Sequence, residues 1–357
     1  MAKTVVVGLS GGVDSSTAAA LLLEQGYEVI GVTMRHLPTE TTNSCCSLEA
    51  VVDARRVAKK LGIPHYLVDV ETPFFERVIL PFQEAYLAGT TPNPCAMCNR
   101  YIKFGAMWEW AAARGADYLA TGHYIRVRER NGLYYLMRGV DHAKDQSYLL
   151  YTMTQEDLAH LLFPLGEYYK ENSRAIAERY GLVTAHKAES QELCFVPKND
   201  YQRYLETHRS EALNPGEIVD KNGRILGHHR GIAFYTIGQR RGLGINASEP
   251  YYVMKLDAKN NRVVVGSKED VLQDTVYVEQ VNYALPVSSE DLHGEAKIRY
   301  NMEPEAATWS GHGLEADIVF KTPQWAVSPG QVAVLYHNDV LLAGGKIQIP
   351  KANGIKG

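Results

Sequence analysis

Through the first third of the chain, short β-branched runs alternate with stretches of helical period. Thr4 to Val7 precedes Ser15 to Gln25, Glu28 to Met34 precedes Leu48 to Leu61, and Tyr66 to Val70 precedes Phe74 to Ala88. Strand and helix in alternation predict a Rossmann-like α/β fold, a parallel sheet with helices on both faces. The second helix is the clearest: Leu48, Val51, Ala54, Ala58 and Leu61 follow a helical period, and Gly62 with Pro64 just beyond stops it. A fourth strand is expected over Asp117 to Thr121, after a helix over Lys103 to Arg114. Tyr124 to Glu129 and Leu133 to Met137 flank Asn131-Gly132, a strong hairpin signal. Helical patterns resume over Ser147 to Leu162, Lys170 to Tyr180 and Tyr201 to Glu206, with Cys194 read as part of a strand between them.

Beyond about Asn214 the texture changes to short runs such as Tyr251 to Leu256, Arg262 to Val265 and Val276 to Val281, separated by Gly, Asn, Asp and Pro. Such spacing predicts two small, mostly β domains, the last a β-barrel. The expected division is 1–210, 211–275 and 276–357, with the tail from Lys351 to Gly357 frayed.

Composition changes this picture in three ways. With 357 residues, 45% of them hydrophobic, the chain has material for several cores. A formal charge of -4 weakly repels nucleic acid, so any RNA contact must come from local basic clusters. Arg126, Arg128 and Arg130 would form such a stripe, since alternate strand residues point the same way, and Arg240-Arg241 is a second cluster; either could equally be a solvated face. Five scattered cysteines, an odd number, do not resemble a secreted disulfide framework, which leaves metal binding or thiol chemistry; Cys45 and Cys46 read as unreactive buried thiols. Lys3 precedes only a short apolar run before Gly8, so a cytoplasmic protein with no membrane segment is expected.

The densest chemistry lies between the first strand and the first helix, in Gly8-Leu9-Ser10-Gly11-Gly12-Val13-Asp14-Ser15-Ser16. Adjacent glycines let the backbone turn and aim N–H groups at an anion, the serines add hydroxyls, and the helix N-terminus adds a favourable dipole. No Lys follows the glycines, so this is not a Walker A loop, and the dinucleotide fingerprint is absent. The segment resembles the PP-loop ATP pyrophosphatases, whose Ser-Gly-Gly-x-Asp-Ser loop holds the β- and γ-phosphates while ATP is cleaved to AMP and pyrophosphate. That resemblance implies ATP with Mg2+ as the nucleotide and gives Asp14 the magnesium or pyrophosphate contact.

Further motifs follow in order: Thr91-Pro92-Asn93-Pro94-Cys95-Ala96-Met97-Cys98-Asn99-Arg100, Ala120-Thr121-Gly122-His123-Tyr124, Lys144-Asp145-Gln146-Ser147-Tyr148, Glu189-Ser190-Gln191-Glu192-Leu193-Cys194-Phe195-Val196-Pro197, and Tyr235-Thr236-Ile237-Gly238-Gln239-Arg240-Arg241-Gly242-Leu243-Gly244. Taken with the loop, they resemble the bacterial tRNA-specific 2-thiouridylases over essentially the whole chain. The resemblance implies thiolation at C2 of the wobble uridine of tRNA: AMP is placed on the C2 oxygen, and a sulfur nucleophile then displaces it. By similarity, Cys194 carries the sulfur as a persulfide, delivered by a sulfur-donor or sulfur-relay protein. Cys98 is the nucleophile that resolves it, releasing sulfide or leaving a transient disulfide between the two. Met34 and Gly122 would border the adenosine. Asn93, Pro94, Cys95, His123, Lys144, Asp145 and Gln146 would meet the RNA, as would Arg299, Tyr300 and Gln331 in the last domain. Read from the residues alone, Met34 is as well a core filler and His123 a satisfied polar residue at a strand end. The chain is expected to act as a monomer.

One position departs from the family pattern, in which an Asp stands where this chain has Cys95. Cys95, Cys98 and Cys194 also form the ligand set of a [4Fe-4S] cluster with one open iron, an alternative to the persulfide relay. Two other classes compete: a PP-loop amide or C–N ligase, and an RNA-binding module without sulfur chemistry. Both leave Cys98 and Cys194 without a role.

Overall fold

The computed structural model describes residues 2–37, 48–188, 193–286, 291–311 and 313–349; Cys45, Cys46 and the tail from Lys351 lie outside them. Contacts divide the chain into two compact units. One comprises Met1–Ile79, Cys95–Asn199 and Asp339–Leu341, the other Leu80–Pro94, Asp200–Asn338 and Leu342–Gly357.

In the first unit β1 (Thr4–Gly8), α1 (Val13–Glu24), β2 (Glu28–Arg35), α2 (Leu48–Leu61) and β3 (His65–Asp69) follow the expected alternation. β4 (Tyr118–Ala120) and β7 (Leu161–Leu162) complete a five-stranded sheet in the order β3-β2-β1-β4-β7, with parallel pairing throughout. Val5, Val6 and Val7 are fully buried, as an unbroken apolar run must be when helices cover both faces. Val5, Val7, Leu22, Ala54 and Ala58 share one core, while Val13, Val57, Ala177 and Leu182 share another. The hairpin of β5 (Ile125–Arg130) and β6 (Leu133–Arg138) turns at Asn131 and Gly132, both at positive φ.

Four segments differ from the sequence expectation. The helix expected from Phe74 to Ala88 is α3 (Glu71–Phe74), a π turn over Phe75–Ile79, and α4 (Leu80–Leu87). Pro81 has no N–H and its ring crowds the carbonyl four residues back, so the regular ladder widens there. The helix expected at Lys103 begins earlier, as α5 (Pro94–Cys98), runs through a π stretch at Asn99–Ala106 and ends as α6 (Met107–Ala112). The helix expected over Ser147 to Leu162 is a 3-10 turn at Ser147–Leu150, then α7 (Gln155–Ala159), then β7. A capping box restarts it: the Asp157 N–H donates to Thr154 Oγ1 at 3.2 Å, and the Thr154 N–H donates to Asp157 Oδ2 at 2.8 Å. Finally, Cys194 lies in a turn rather than a strand, closed by the Val196 N–H on the Leu193 carbonyl at 2.9 Å. The helix α8 (Lys170–Arg179) then stands as expected.

The second unit is mostly β. After α9 (Tyr201–His208), the strands β8 (Gly216–Asp220), β9 (Ile225–His229), β10 (Tyr252–Asp257) and β11 (Arg262–Gly266) form a sheet ordered β10-β11-β8-β9. β12 (Leu272–Tyr283), β13 (Asp291–Lys297), β14 (Glu305–Ser310), β15 (Glu315–Trp325), β16 (Val332–His337) and β17 (Val340–Ile347) run β12-β15-β14-β13-β16-β17, and a β12–β17 pairing closes the expected barrel. Its interior holds Val276, Trp309, Ile318, Phe320 and Leu335. Among the described residues no helix is long and apolar enough to cross a membrane.

Candidate active site

The carboxyl ends of β1, β2, β3 and β4 gather the chemistry-bearing residues, as expected for ligands of an open parallel sheet. At the end of β1, Gly11 takes φ +70°, and a Cβ there would strike the Ala50 carbonyl, so only glycine lets α2 come this close. Gly12, the N-cap of α1, offers no side-chain cap, so the leading N–H groups of the helix stay available to an anion. The serines brace the loop: the Ser10 N–H donates to Ser15 Oγ at 3.1 Å, and the Ser16 hydroxyl donates to the Gly12 carbonyl at 2.8 Å. A braced, uncapped helix start fits the phosphates of a nucleotide.

Asp14, in the first turn of α1, meets groups from two distant elements. Lys170 Nζ lies 2.7 Å from both Asp14 carboxylate oxygens. The Tyr124 hydroxyl, 2.8 Å from Asp14 Oδ1, donates to it and also lies 2.9 Å from Ser173 Oγ. Neither Lys170 nor Tyr124 was singled out from the sequence. The one local signal for Lys170 is electrostatic: a cation in the first turn of a helix opposes the helix dipole, so it needs a tertiary reason to be there.

Gly122, at the end of β4, presses against this same turn. A Cβ on it would sit 2.6 Å from the Asp14 carbonyl carbon and 2.7 Å from the Ser15 nitrogen. Met34, next to last in β2, is partly buried near the carboxyl end of that strand. His123 is buried, its Nδ1 2.7 Å from Thr121 Oγ1 and its ring beside Phe104 and Phe163. Burial, aided by the charge of Lys103, holds its pKa well below the usual imidazole value, so it is neutral in the folded protein.

The two cysteine segments meet the short helix α3. The π stretch directly after Cys98 packs on α3, and Phe74 of α3 lies edge-on to Phe195, ring centroids 5.9 Å apart. Phe74 also packs on His36, two residues beyond Met34, with centroids at 4.6 Å. α3 thus touches both the π stretch that follows Cys98 and the residue that follows Cys194, just beyond the carboxyl end of β3. Cys98 and Cys194 are partly exposed and Cys95 is exposed. Among the described residues no three His, Cys, Asp or Glu side chains gather to hold a metal ion. The iron-sulfur alternative for Cys95, Cys98 and Cys194 thus has no observation in its favour.

Other expected RNA contacts are occupied inside the fold. Asp145 is buried, its carboxylate accepting from the Gly139 N–H at 3.2 Å and the Ser147 N–H at 3.1 Å. Gln146 Oε1 accepts from the Tyr124 N–H at 3.2 Å, while Lys144 is partly exposed next to them. In the second unit, Arg299 donates to the carbonyls of Trp325 and Ala326, and Tyr300 lies beneath Lys297. Gln331 Nε2 donates to the carbonyls of Thr91 at 3.0 Å and Pro92 at 3.1 Å, pinning the chain just ahead of Asn93 and Pro94. Arg240 and Arg241 are exposed, and Arg240 lines an open cavity of about 340 Å³ with Leu243 and Tyr251.

Family profiles match three consecutive spans: a tRNA methyl transferase HUP domain over 3–198, a tRNA methyl transferase PRC-barrel domain over 202–267, and an aminomethyltransferase β-barrel domain over 273–347. The tRNA-specific 2-thiouridylase MnmA of Moorella thermoacetica is 51% identical over 355 residues, covering 96% of this chain and 99% of its own. The chain belongs to the tRNA-specific 2-thiouridylase family. The 2-thiouridylase MnmA of Carboxydothermus hydrogenoformans is 49% identical over 97% of this chain and 98% of its own. Among solved structures, the U34-tRNA thiolase NcsA from Methanococcus maripaludis with its [4Fe-4S] cluster reaches a TM-score of only 0.36 at 16% identity, over 58% of this chain and 67% of that one. That likeness is too low to weigh against the 2-thiouridylase relatives, which match from end to end.

Proposed function

We propose that this enzyme thiolates C2 of the wobble uridine of tRNA at the expense of ATP, with the chemistry divided between the Asp14 node and two thiols. The observation that carries this reading is the gathering of the Asp14–Lys170–Tyr124 node, Met34 and the α3-anchored segments of Cys98 and Cys194 at one end of one sheet. The loop from Gly8 to Ser15 holds the phosphates, and Met34 and Gly122 border the adenosine. Asp14 is the residue that would hold Mg2+, which would shield the phosphate charge, and Lys170, beside Asp14, is placed to pair with pyrophosphate.

The urea-like C2 carbonyl is a poor electrophile until its oxygen carries AMP, a good leaving group. The terminal sulfur of a Cys194 persulfide attacks C2 and displaces AMP, joining Cys194 to the base through a sulfur–sulfur bond. The Cys98 thiolate then attacks Cys194 Sγ; that bond breaks, 2-thiouridine leaves with the outer sulfur, and Cys98 and Cys194 remain as a disulfide. In the second form of the relay, Cys98 first frees the outer sulfur as sulfide, which attacks C2. Neutral His123 offers the base a hydrogen bond without a charge. On the first unit Lys144 would meet the RNA, with Asp145 and Gln146 holding its loop from within; Asn93, Pro94 and Cys95 are further proposed contacts, as are Arg299, Tyr300 and Gln331 in the last domain. Sulfur reaches Cys194 from a donor or relay protein, the enzyme works as a cytoplasmic monomer, and its domains divide at about 210 and 275.

The test is thiolation of purified tRNA with ATP and a persulfide source, read by retardation in an organomercury gel, beside release of pyrophosphate. Cys98→Ser and Cys194→Ser should each stop thiolation while tRNA-dependent pyrophosphate release continues. Thiolation by Cys194→Ser at the wild-type rate would remove the persulfide role, and an amide ligase would lose nothing in either variant.

A further inference from the structure

Cys95 and Cys98 stand three residues apart on α5, Cys95 exposed and Cys98 partly so. Positions three apart on a helix share a side, with Cβ atoms about 5–6 Å apart, against the roughly 3.5–4.5 Å that a disulfide needs. α5 is little more than one turn, its leading N–H groups have no intrahelical partner, and the π stretch Asn99–Ala106 follows at once. The turn can therefore tighten by the missing ~1–2 Å without breaking a regular ladder. Cys194 waits on a turn anchored to α3, against which the helix just after Cys98 also packs. Of the three thiols Cys95 is the exposed one, while Cys98 and Cys194 are partly exposed.

We infer that Cys95 is a second resolving thiol, which takes over the oxidised state left by sulfur transfer and returns Cys194 to service. This rests on the relay reading above, in the form that leaves Cys98 joined to Cys194. The Cys95 thiolate attacks Cys98 Sγ; the Cys95–Cys98 bond forms, the Cys98–Cys194 bond breaks, and the electron pair leaves on Cys194 as a thiolate. The exchange is redox-neutral. Two electrons enter only afterwards, from a dithiol reductant that meets the exposed Cys95, so the reductant need not reach the base-binding site. Where the family pattern has an Asp, this chain thus has a group able to export a disulfide, which no carboxylate can do.

The experiment loads wild-type enzyme with persulfide, allows one turnover with ATP and tRNA in the absence of reductant, and quenches with acid and an alkylating reagent. Disulfides are then mapped by peptide mass and scored per thiolated tRNA, so that any loss of base contact at Cys95 is divided out. The expected result is one Cys95–Cys98 pair per thiolated tRNA with Cys194 alkylated, and Cys98–Cys194 pairs instead in Cys95→Ser and Cys95→Asp. Wild-type enzyme that keeps Cys98–Cys194 paired, with Cys95 alkylated, overturns the inference. Thiolated tRNA made with no Cys98–Cys194 pair in either Cys95 variant overturns the disulfide form of the relay itself, and the inference with it.

Discussion

Replacing Lys170 with Met removes a charge while keeping most of the stem that packs beside α1. Lys170 Nζ sits 2.7 Å from Asp14 Oδ1, and the two side chains are 11% and 32% exposed. At an effective dielectric near 20, two unit charges about 3 Å apart attract by roughly 5 kcal/mol. Desolvation cancels much of that, leaving the ~1.5–3 kcal/mol typical of hydrogen bonds to charged groups. A double-mutant cycle of Lys170→Met and Asp14→Asn, read by denaturant unfolding, should return a coupling of that size. The same loss in the transition state would slow tRNA-dependent pyrophosphate release about 10–100-fold. Lys170→Arg, which keeps the charge, should recover part of it. Coupling near zero would refute the ion pair, and Lys170→Met turning over within about threefold of wild type would refute any part for Lys170 in phosphate chemistry.

Gly122→Ala places a methyl 2.6 Å from the Asp14 carbonyl carbon, so it should push the loop away, raising KM for ATP or abolishing pyrophosphate release while circular dichroism stays that of a folded chain. His123 gives a pH dependence: unfolded, it binds a proton near the ordinary imidazole pKa, but folded it stays neutral, so its contribution is present above that pKa and lost on acidification below it. Stability should fall below about pH 6.5 by up to ~1.4 kcal/mol per pH unit. His123→Asn should flatten the melting-temperature profile, although His65 and His229, also lowered chiefly by burial, keep part of the slope; an unchanged profile would refute the assignment.

The doubly covered sheet was legible because its strands are continuous apolar runs and its helices carry a clear period. The phosphate loop was legible because its requirement is local, a turn that only glycine can make. Lys170 was not, since its partner lies 156 residues earlier and only its wrong sign against the helix dipole hinted at it. Leu193-Cys194-Phe195 read as strand because a short apolar run looks the same whether it pairs in a sheet or caps a neighbouring helix, as Phe195 does on Phe74. The two π segments were invisible for a related reason: periodicity marks a helix but not a widened turn within it, even where Pro81 required one. The iron-sulfur alternative, read from the Cys95–Cys98 spacing together with Cys194, has no observation in its favour among the described residues.

The arginine stripe shows how charge counts mislead until partners are known. Arg126 and Arg128 do lie on one strand at alternate positions, yet Arg126 holds Asp339 at 2.7 Å with its side chain only 12% exposed, so its charge is spent within the fold. Arg128 pairs with Glu167 at 2.9 Å with both partners more than half exposed, a contact that contributes at most about 1 kcal/mol and that a phosphate can replace. Non-specific affinity for RNA scales with the number of phosphates neutralised, and a chain of net charge -4 with part of its basic stripe internally paired neutralises few. On the function proposed above, selection of the right tRNA then rests more on contacts with an extruded pyrimidine than on general phosphate binding. That arrangement suits an enzyme whose first chemical step consumes ATP, because weak general binding keeps adenylation from proceeding on RNA that has no base in place.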